Sequence, residues 1–386
     1  MIKEAQVIAA QLVEWRRAFH RQPELGFEVF ETGKRVAQVL QELGWRVQTG
    51  VGRTGVVAER GSGEPVIAIR ADMDALPIQE VNHVPYSSQV AGRMHACGHD
   101  AHTAMLLGVA TLLSKQQLTG RVRLLFQPSE EVADDEGMSG APRMIQDGAM
   151  QGVSLVLALH VDPAMPVGCI QIGSGAASGG VDSFFASIIG KSGHGAHPHE
   201  TVDPIYLSAH VILALHGIVS RRVDPLSPAV VSLGSMHGGA AENIIPDRVD
   251  LSGTIRFMQP SVQQKIHHEI KQAFQVAHTL GGDFELRFET GSQPMNNHPQ
   301  AVDLIEQAAA KVIGVQNILQ PVPTLGAEDF GFFSDKAPGA MFTLGCRIEG
   351  DERMLHNSHF DINEGCLPVG TAILAQAAMD YLSKVS

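Results

Sequence analysis

The chain has 386 residues, 44% of them hydrophobic and 18% charged, and carries a net charge of −13. That length suggests two or three domains with ample material for buried cores. The acidic balance argues against a nucleic-acid partner, and no run approaches the ~18 unbroken apolar residues of a membrane span. The charged, amphipathic start lacks the features of a signal peptide, so a soluble, cytoplasmic protein is expected.

In chain order, residues 2–19 put Val7, Ile8, Leu12, Trp15 and Phe19 near helical spacing and predict an amphipathic helix. Residues 32–43 repeat the pattern and stop at Gly44. Short apolar runs at 66–70 (VIAIR), 122–126 (VRLLF) and 155–159 (LVLAL) read as strands buried on both faces. A helix over 101–113 lies between the first two. Strands alternating with helices imply an α/β domain with a mostly parallel sheet and helices on both faces.

The middle changes character. Residues 182–190, 229–236, 249–258 and 284–289 predict longer strands, with helices at 204–220 and 261–280. This β-α-β-β-α-β order is that of a ferredoxin-like α+β unit. The stretches at 173–180 and 289–299 that flank it have linker composition. The first, GSGAASGG, is not a GxGxxG and reads as a hinge rather than a dinucleotide loop. A helix at 301–312, a strand at 341–344 and a helix at 365–383 then restore the alternating style. The layout is one α/β domain interrupted by a smaller inserted domain.

Buried parallel sheets place function at the carboxyl ends of their strands. VIAIR is followed by Asp72 and Asp74, VRLLF by Glu130 and Glu131, and LVLAL directly by His160. The segment ACGHD offers Cys97 and His99 around Gly98, whose turn can aim both inward, while Asp100 is expected to cap the following helix. Four cysteines without a CxxC pair suggest a metal-binding or catalytic thiol rather than a disulfide framework. Any one of these residues alone is ordinary core or loop chemistry. Together they form a zinc-type donor set. His95 and His102 read as supporting residues.

Of Glu130 and Glu131, one can bind metal while the other holds a water as general base. The polar loop 355–365 adds His356 or His359 as a final donor. Cys97, His99, Glu131, His160 and one C-terminal histidine make five donors, more than the three of a single catalytic zinc. Five suit two ions ~3.5–4 Å apart, with a thiolate between them that favours zinc-like metals over magnesium.

At these residues the sequence resembles the M20 metallopeptidase superfamily, in its branch of hippurate hydrolases, N-acyl-L-amino-acid amidohydrolases and plant auxin-conjugate hydrolases. The resemblance covers essentially the whole chain, through FHRQPELGFEVFET, RADMDALPIQE, MHACGHDAHTAMLLG, FQPSEE, SGHGAHPH, AENIIPD, GTIRF, GAEDFGFF and LHNSHFDINE. It implies a catalytic domain over residues 1–176 and 293–386, and a lid and dimerisation domain over 177–292. Cys97, His99, Glu131, His160 and His356 would hold two divalent ions (zinc, manganese, nickel or cobalt), with Glu130 as general base. His356 is preferred to His359 because the branch pattern is Leu-His followed by a small polar residue. His194 and Asn243 would serve the reacting carbonyl and Arg256 the substrate carboxylate, in a homodimer or higher assembly formed through the inserted domain.

The chain departs from relatives outside the branch by Asp72-x-Asp74 where they have His-x-Asp, and by Cys97 where they have a bridging Asp. The segment at 132–145 is longer than the usual turn, and Asp134, Asp135 and Glu136 are expected to border the cleft. The expected activity is hydrolysis of N-acyl amino acids. A dipeptidase or carboxypeptidase of the same superfamily, a non-catalytic metal-binding protein and a nicotinamide-dependent enzyme are the alternatives, in that order.

Overall fold

The computed structural model describes residues 1–322 and 324–384 and divides the chain into two compact units. The first unit comprises Met1–Ala177, Asn296–Val322 and residues 329–384; the second comprises Ser178–Met295 and residues 324–328.

The first unit is built on an eight-stranded sheet. Its strands are β1 (Arg46–Val51), β2 (Gly55–Gly61), β3 (Val66–Asp72), β4 (Arg121–Gln127), β5 (Leu155–Asp162), β6 (Ile170–Gln171), β7 (Ile318–Leu319) and β8 (Gly339–Gly345). Their spatial order is β1-β2-β4-β3-β5-β8-β6-β7. The centre, β4-β3-β5-β8, is parallel. The pairs β1–β2, β2–β4 and β6–β8 are antiparallel and β6–β7 is parallel, so the sheet is mixed around its parallel centre. The antiparallel pairing arises at the edges, in the hairpin turn at Gly52 and Arg53, both with positive φ, and in the two-residue strand β6. β3 is buried at every residue, as a strand covered on both faces must be.

Helices of this unit are α1 (Ile2–Val7), α2 (Ala9–Arg21), α3 (Phe30–Glu42), α4 (His99–Leu113), α5 (Gly140–Gln146), α6 (Pro299–Ile313), α7 (Phe330–Ser334) and α8 (Leu367–Lys384). The single N-terminal helix expected from the sequence is interrupted at Ile8, whose N–H bonds the carbonyl of Gln6. α4 packs against β3, α2 and α8, and all its residues but Thr111 are buried. Gly108 permits this: a Cβ there would lie 2.6 Å from Leu12 Cδ2 on α2 and 2.8 Å from Thr371 Cγ2 on α8. The central helix that follows the ACGHD turn is thus fixed on every side by the unit's core.

The second unit has four antiparallel strands, Ala229–Gly238, Arg248–Phe257, Gly180–Ile189 and Asp283–Thr290 in spatial order. Helices Pro204–Arg222 and Pro260–Thr279 join them in β-α-β-β-α-β sequence. Residues alternate along the strands: Phe184, Ala186 and Ile188, with Val249, Leu251, Ile255 and Phe257, are buried with the helices in a separate core. The glycine-rich run at 173–180 is not irregular: it contains the strand Gly175–Ser178 and the first residue of the strand Gly180–Ile189. Among the described residues no helix is long and apolar enough to cross a membrane.

Candidate metal centre

Parallel β4, β3 and β5 end at one edge of the sheet, which gathers the residues that follow them. Asp74, two residues past β3, organises this edge. Its two carboxylate oxygens accept the backbone N–H groups of Glu130 and Glu131 at 3.0 and 3.1 Å. Its carbonyl accepts the ring proton of His99 from Nδ1 at 2.8 Å. One residue therefore holds both glutamates and the histidine of the facing turn. Sequence reasoning noted Asp74 only as one of two acids after a strand.

The turn before α4 needs Gly98. Its φ is +87°, and a Cβ would lie 2.3 Å from Val161 Cγ2 on β5. Gly98 is also the residue at the N-cap of α4, which starts at His99. Asp100 is not the cap. It is buried one position further in, where Arg16 Nε donates to its Oδ2 at 2.8 Å and His20 Nδ1 lies 2.8 Å from the same oxygen. Burial raises the Asp100 carboxyl, but Arg16 and His20 outweigh it and hold the group well below the usual carboxylate range. The capping pattern was misread because its partners stand some 80 residues upstream.

Two imidazoles face Cys97 with their tautomers set by the backbone. His160 Nδ1 donates to the Val161 carbonyl at 2.8 Å, and His99 Nδ1 donates to Asp74, so in each neutral ring Nε2 keeps its lone pair. His160 Nε2 lies 3.4 Å from Cys97 Sγ. On the other side Glu131 Oε1 lies 3.2 Å from His356 Nε2. His356 has φ +58°, and its N–H bonds the Ala96 carbonyl at 2.8 Å, next to Cys97. Cys97–His99–His160 and Cys97–Glu131–His356 each bring three donor atoms within 4.8 Å of one another, and they share the thiol. His99, Glu130 and Glu131 form a third such group. His359 is exposed, beside Ser358, and belongs to none of them.

These residues fit a cation centre on their own chemistry. His99 Nε2 is buried without a hydrogen-bond partner among the described residues, which buried polar atoms rarely are. Burial pushes the Cys97 thiol well above its ordinary value, and a coordinated ion is what draws a proton from such a group. All four cysteines are free.

His102 lies among these groups but is fully used. Its Nδ1 donates to Asp72 Oδ1 at 2.6 Å, and its Nε2 accepts the Val161 N–H at 3.0 Å. Burial pushes its pKa down to about 4. Asp72 is used likewise, by His102 and by Arg70 Nη1 at 2.6 Å. Burial also lowers His95, to about 3, so it is a neutral core imidazole. In the segment at 132–145, Asp134 turns onto Arg53 and Arg143 and accepts the N–H groups of Glu136 and Met138. Asp135 and Glu136 are exposed.

The second unit carries the remaining residues. The strand Gly193–His194 pairs with Ile244–Ile245, and Gly195 N–H bonds the Asn243 carbonyl at 2.9 Å, so His194 and Asn243 stand together. The Ala196 N–H donates to His194 Nδ1 at 3.0 Å, which leaves the proton of the neutral ring on Nε2. Arg256, on the strand Arg248–Phe257, has among the described residues only neutral hydrogen-bond partners, Thr254 Oγ1 and the Ile255 carbonyl. Burial lowers its pKa.

A family model described as peptidase family M20/M25/M40 matches residues 68–380. The chain belongs to that family. It is a metal-dependent hydrolase of the M20 amidohydrolase branch, with relatives whose names carry that chemistry. It is 37% identical to the N-acetyl-L-cysteine deacetylase of Bacillus subtilis, over 96% of this chain and 88% of that one. It is 38% identical to thermostable carboxypeptidase 2 of Saccharolobus solfataricus, over 97% of this chain and 96% of that one. Among solved structures, the Bacillus subtilis YXEP protein, described as a dinuclear metal-binding peptidase of the M20 family, matches with a TM-score of 0.84 and 33% identity. That match covers 98% of this chain and 99% of the other.

Proposed function

We propose that this M20 protein hydrolyses the amide bond of N-acyl amino acids at a centre of two divalent ions held by Cys97, His99, Glu131, His160 and His356. The observation that carries the reading is that two three-donor groups share the single thiol of Cys97. Divalent ions at such a centre supply Lewis acidity toward the carbonyl and a water acidified toward neutral pH. Glu130, beside His99 and Glu131, would accept the proton of the attacking water and deliver it to the leaving nitrogen. His194 offers its Nε2 proton to the developing oxyanion, with Asn243 beside it. Arg256, which has no carboxylate partner among the described residues, binds the carboxylate of the amino acid.

The acyl-amino-acid class is supported by the named activity of the deacetylase relative. The carboxypeptidase relative favours a second reading, a peptidase with the same centre. We further read the second unit as lid and dimerisation element, and the protein as a cytoplasmic homodimer acting on small molecules without nucleic acid or membrane. The family resemblance supports this, and sedimentation of the purified protein tests the dimer.

A substrate panel separates the two activities. With zinc, manganese, nickel or cobalt supplied, N-acetyl and N-benzoyl amino acids are expected to be cleaved with higher kcat/KM than dipeptides or longer peptides. The reverse order favours the peptidase. Arg256→Ala is expected to lower kcat/KM for N-acyl amino acids and to spare the corresponding amino-acid amides, which lack the carboxylate. Equal losses on both would reject the role of Arg256.

A further inference from the structure

His102 is buried, its two ring nitrogens are both engaged, and neither is available to an ion. What it grips is the backbone of Val161, by its N–H. The Val161 N–H donates to His102 Nε2 at 3.0 Å, and the Val161 carbonyl accepts the Nδ1 proton of His160 at 2.8 Å. The His102 ring also packs edge-on against the His160 ring, with centroids 4.8 Å apart and planes at 66°. On its other side the Val161 side chain presses on Gly98. The orientation of His160 thus depends on where the Val161 backbone sits, through the N–H of one peptide unit and the carbonyl of the next.

A buried chain of charges holds His102 in the required tautomer. Asp72 Oδ1 takes the Nδ1 proton, and Asp72 Oδ2 accepts from Arg70 Nη1 at 2.6 Å. Arg70 Nε donates to Gln127 Oε1 at 2.7 Å and Arg70 Nη2 to Asp329 Oδ1 at 3.0 Å. Asp329 also accepts from Gln127 Nε2, Ser139 Oγ and the Ala141 N–H. The opposite tautomer of His102 would set a ring N–H against the Val161 N–H and leave Asp72 without its proton donor. Such a buried polar network is costly unless every member is satisfied.

We propose that His102 is a positioning residue for His160, acting through the Val161 backbone and held in register by Asp72, Arg70 and Asp329. The inference rests on the two-ion reading of the Cys97 centre. Outer-shell partners of a ligating histidine fix its tautomer and direction, and losing one typically costs 10–100-fold in ion affinity. Because His160 belongs to only one of the two donor groups, the loss falls on one ion.

The test uses the full chain, stripped of metal and titrated with Zn²⁺ against a chromophoric competing chelator. His102→Asn keeps an amide donor toward Asp72 but does not reach Val161. His102→Gln places its amide oxygen near the position of Nε2 and keeps the Val161 bond. His102→Asn is expected to weaken one of the two ions about 10–100-fold and the other less than about threefold, with His102→Gln recovering most of the loss. Wild-type affinity for both ions in His102→Asn would overturn the proposal. So would equal weakening of both ions in both variants, which marks a general structural role. A wild-type protein that takes fewer than two ions defeats the two-ion reading itself, and the inference with it. Long-range ¹⁵N–¹H NMR of the wild-type, metal-free protein needs no variant to fold: His102 must carry its proton on Nδ1, and a proton on Nε2 overturns the proposal.

Discussion

Cys97 Sγ belongs to both donor groups, so under the proposed two-ion centre a substitution there would act on two ion positions at once. Cys97→Ala is expected to lose ion binding, whereas Cys97→Asp, with two oxygens on a short side chain, retains part of it; metal content after gel filtration reads the difference. Glu130 is the complementary case. Glu130→Gln removes the proton acceptor without touching a proposed ligand, so turnover should fall by at least about 10²-fold while two ions stay bound. Near-normal hydrolysis by that variant would reject Glu130 as base. Cys97, His99 and the two glutamates were legible in the sequence because donors stood at a glycine turn and at strand ends. Asp100 was not, because its role is set by Arg16 on α2; His102 was legible as a supporting residue, but its partner Val161 on β5 was not, since no local pattern reveals it.

Elements are joined to the centre by buried charge. Arg16 on α2 is fully buried and donates to Asp100 on α4 and to Asp361 in the segment that follows His356. Arg16→Met leaves both carboxylates buried without their cation, and truncating one member of such a pair costs on the order of 3–5 kcal/mol; urea unfolding checks this. At the edge of the sheet, Glu59 on β2 stands opposite Arg46 on β1 and Arg123 on β4. Burial raises the Glu59 carboxyl, but Arg123, Arg121 and Arg46 outweigh it and lower its pKa. A carboxyl lowered in the folded state stabilises above its unfolded pKa and loses that contribution as pH falls through the folded value. Glu59→Gln should therefore be less stable than wild type at pH 7, by roughly 0.2–1 kcal/mol, and the gap should close as pH drops below the carboxylate range. A gap that persists in acid would assign the loss to packing. The central strands β3, β4 and β5 were legible as unbroken apolar runs. β1 and β2 were not: Arg46–Val51 and Gly55–Gly61 carry charges and glycines that dilute the strand signal, and only the ladders of β1 on β2 and β2 on β4 order them.

At the scale of the molecule, the first unit builds its donor cluster from positions 97 to 356, brought to one sheet edge by parallel strands and a returning C-terminal segment. The second unit holds His194 beside Asn243, and Arg256 without a carboxylate partner among the described residues, on a framework with its own core. Family motifs made these residues legible one by one, and the β-α-β-β-α-β order announced the second unit; the mixed pairing of the large sheet depended on edge contacts and stayed hidden. The most direct measurement is the number of divalent ions bound per chain, by elemental analysis of metal-saturated wild type and Cys97→Ala. Two ions in the wild type and loss of both in Cys97→Ala are expected. One ion in the wild type, or two in an active Cys97→Ala protein, would contradict a thiol shared by two ions.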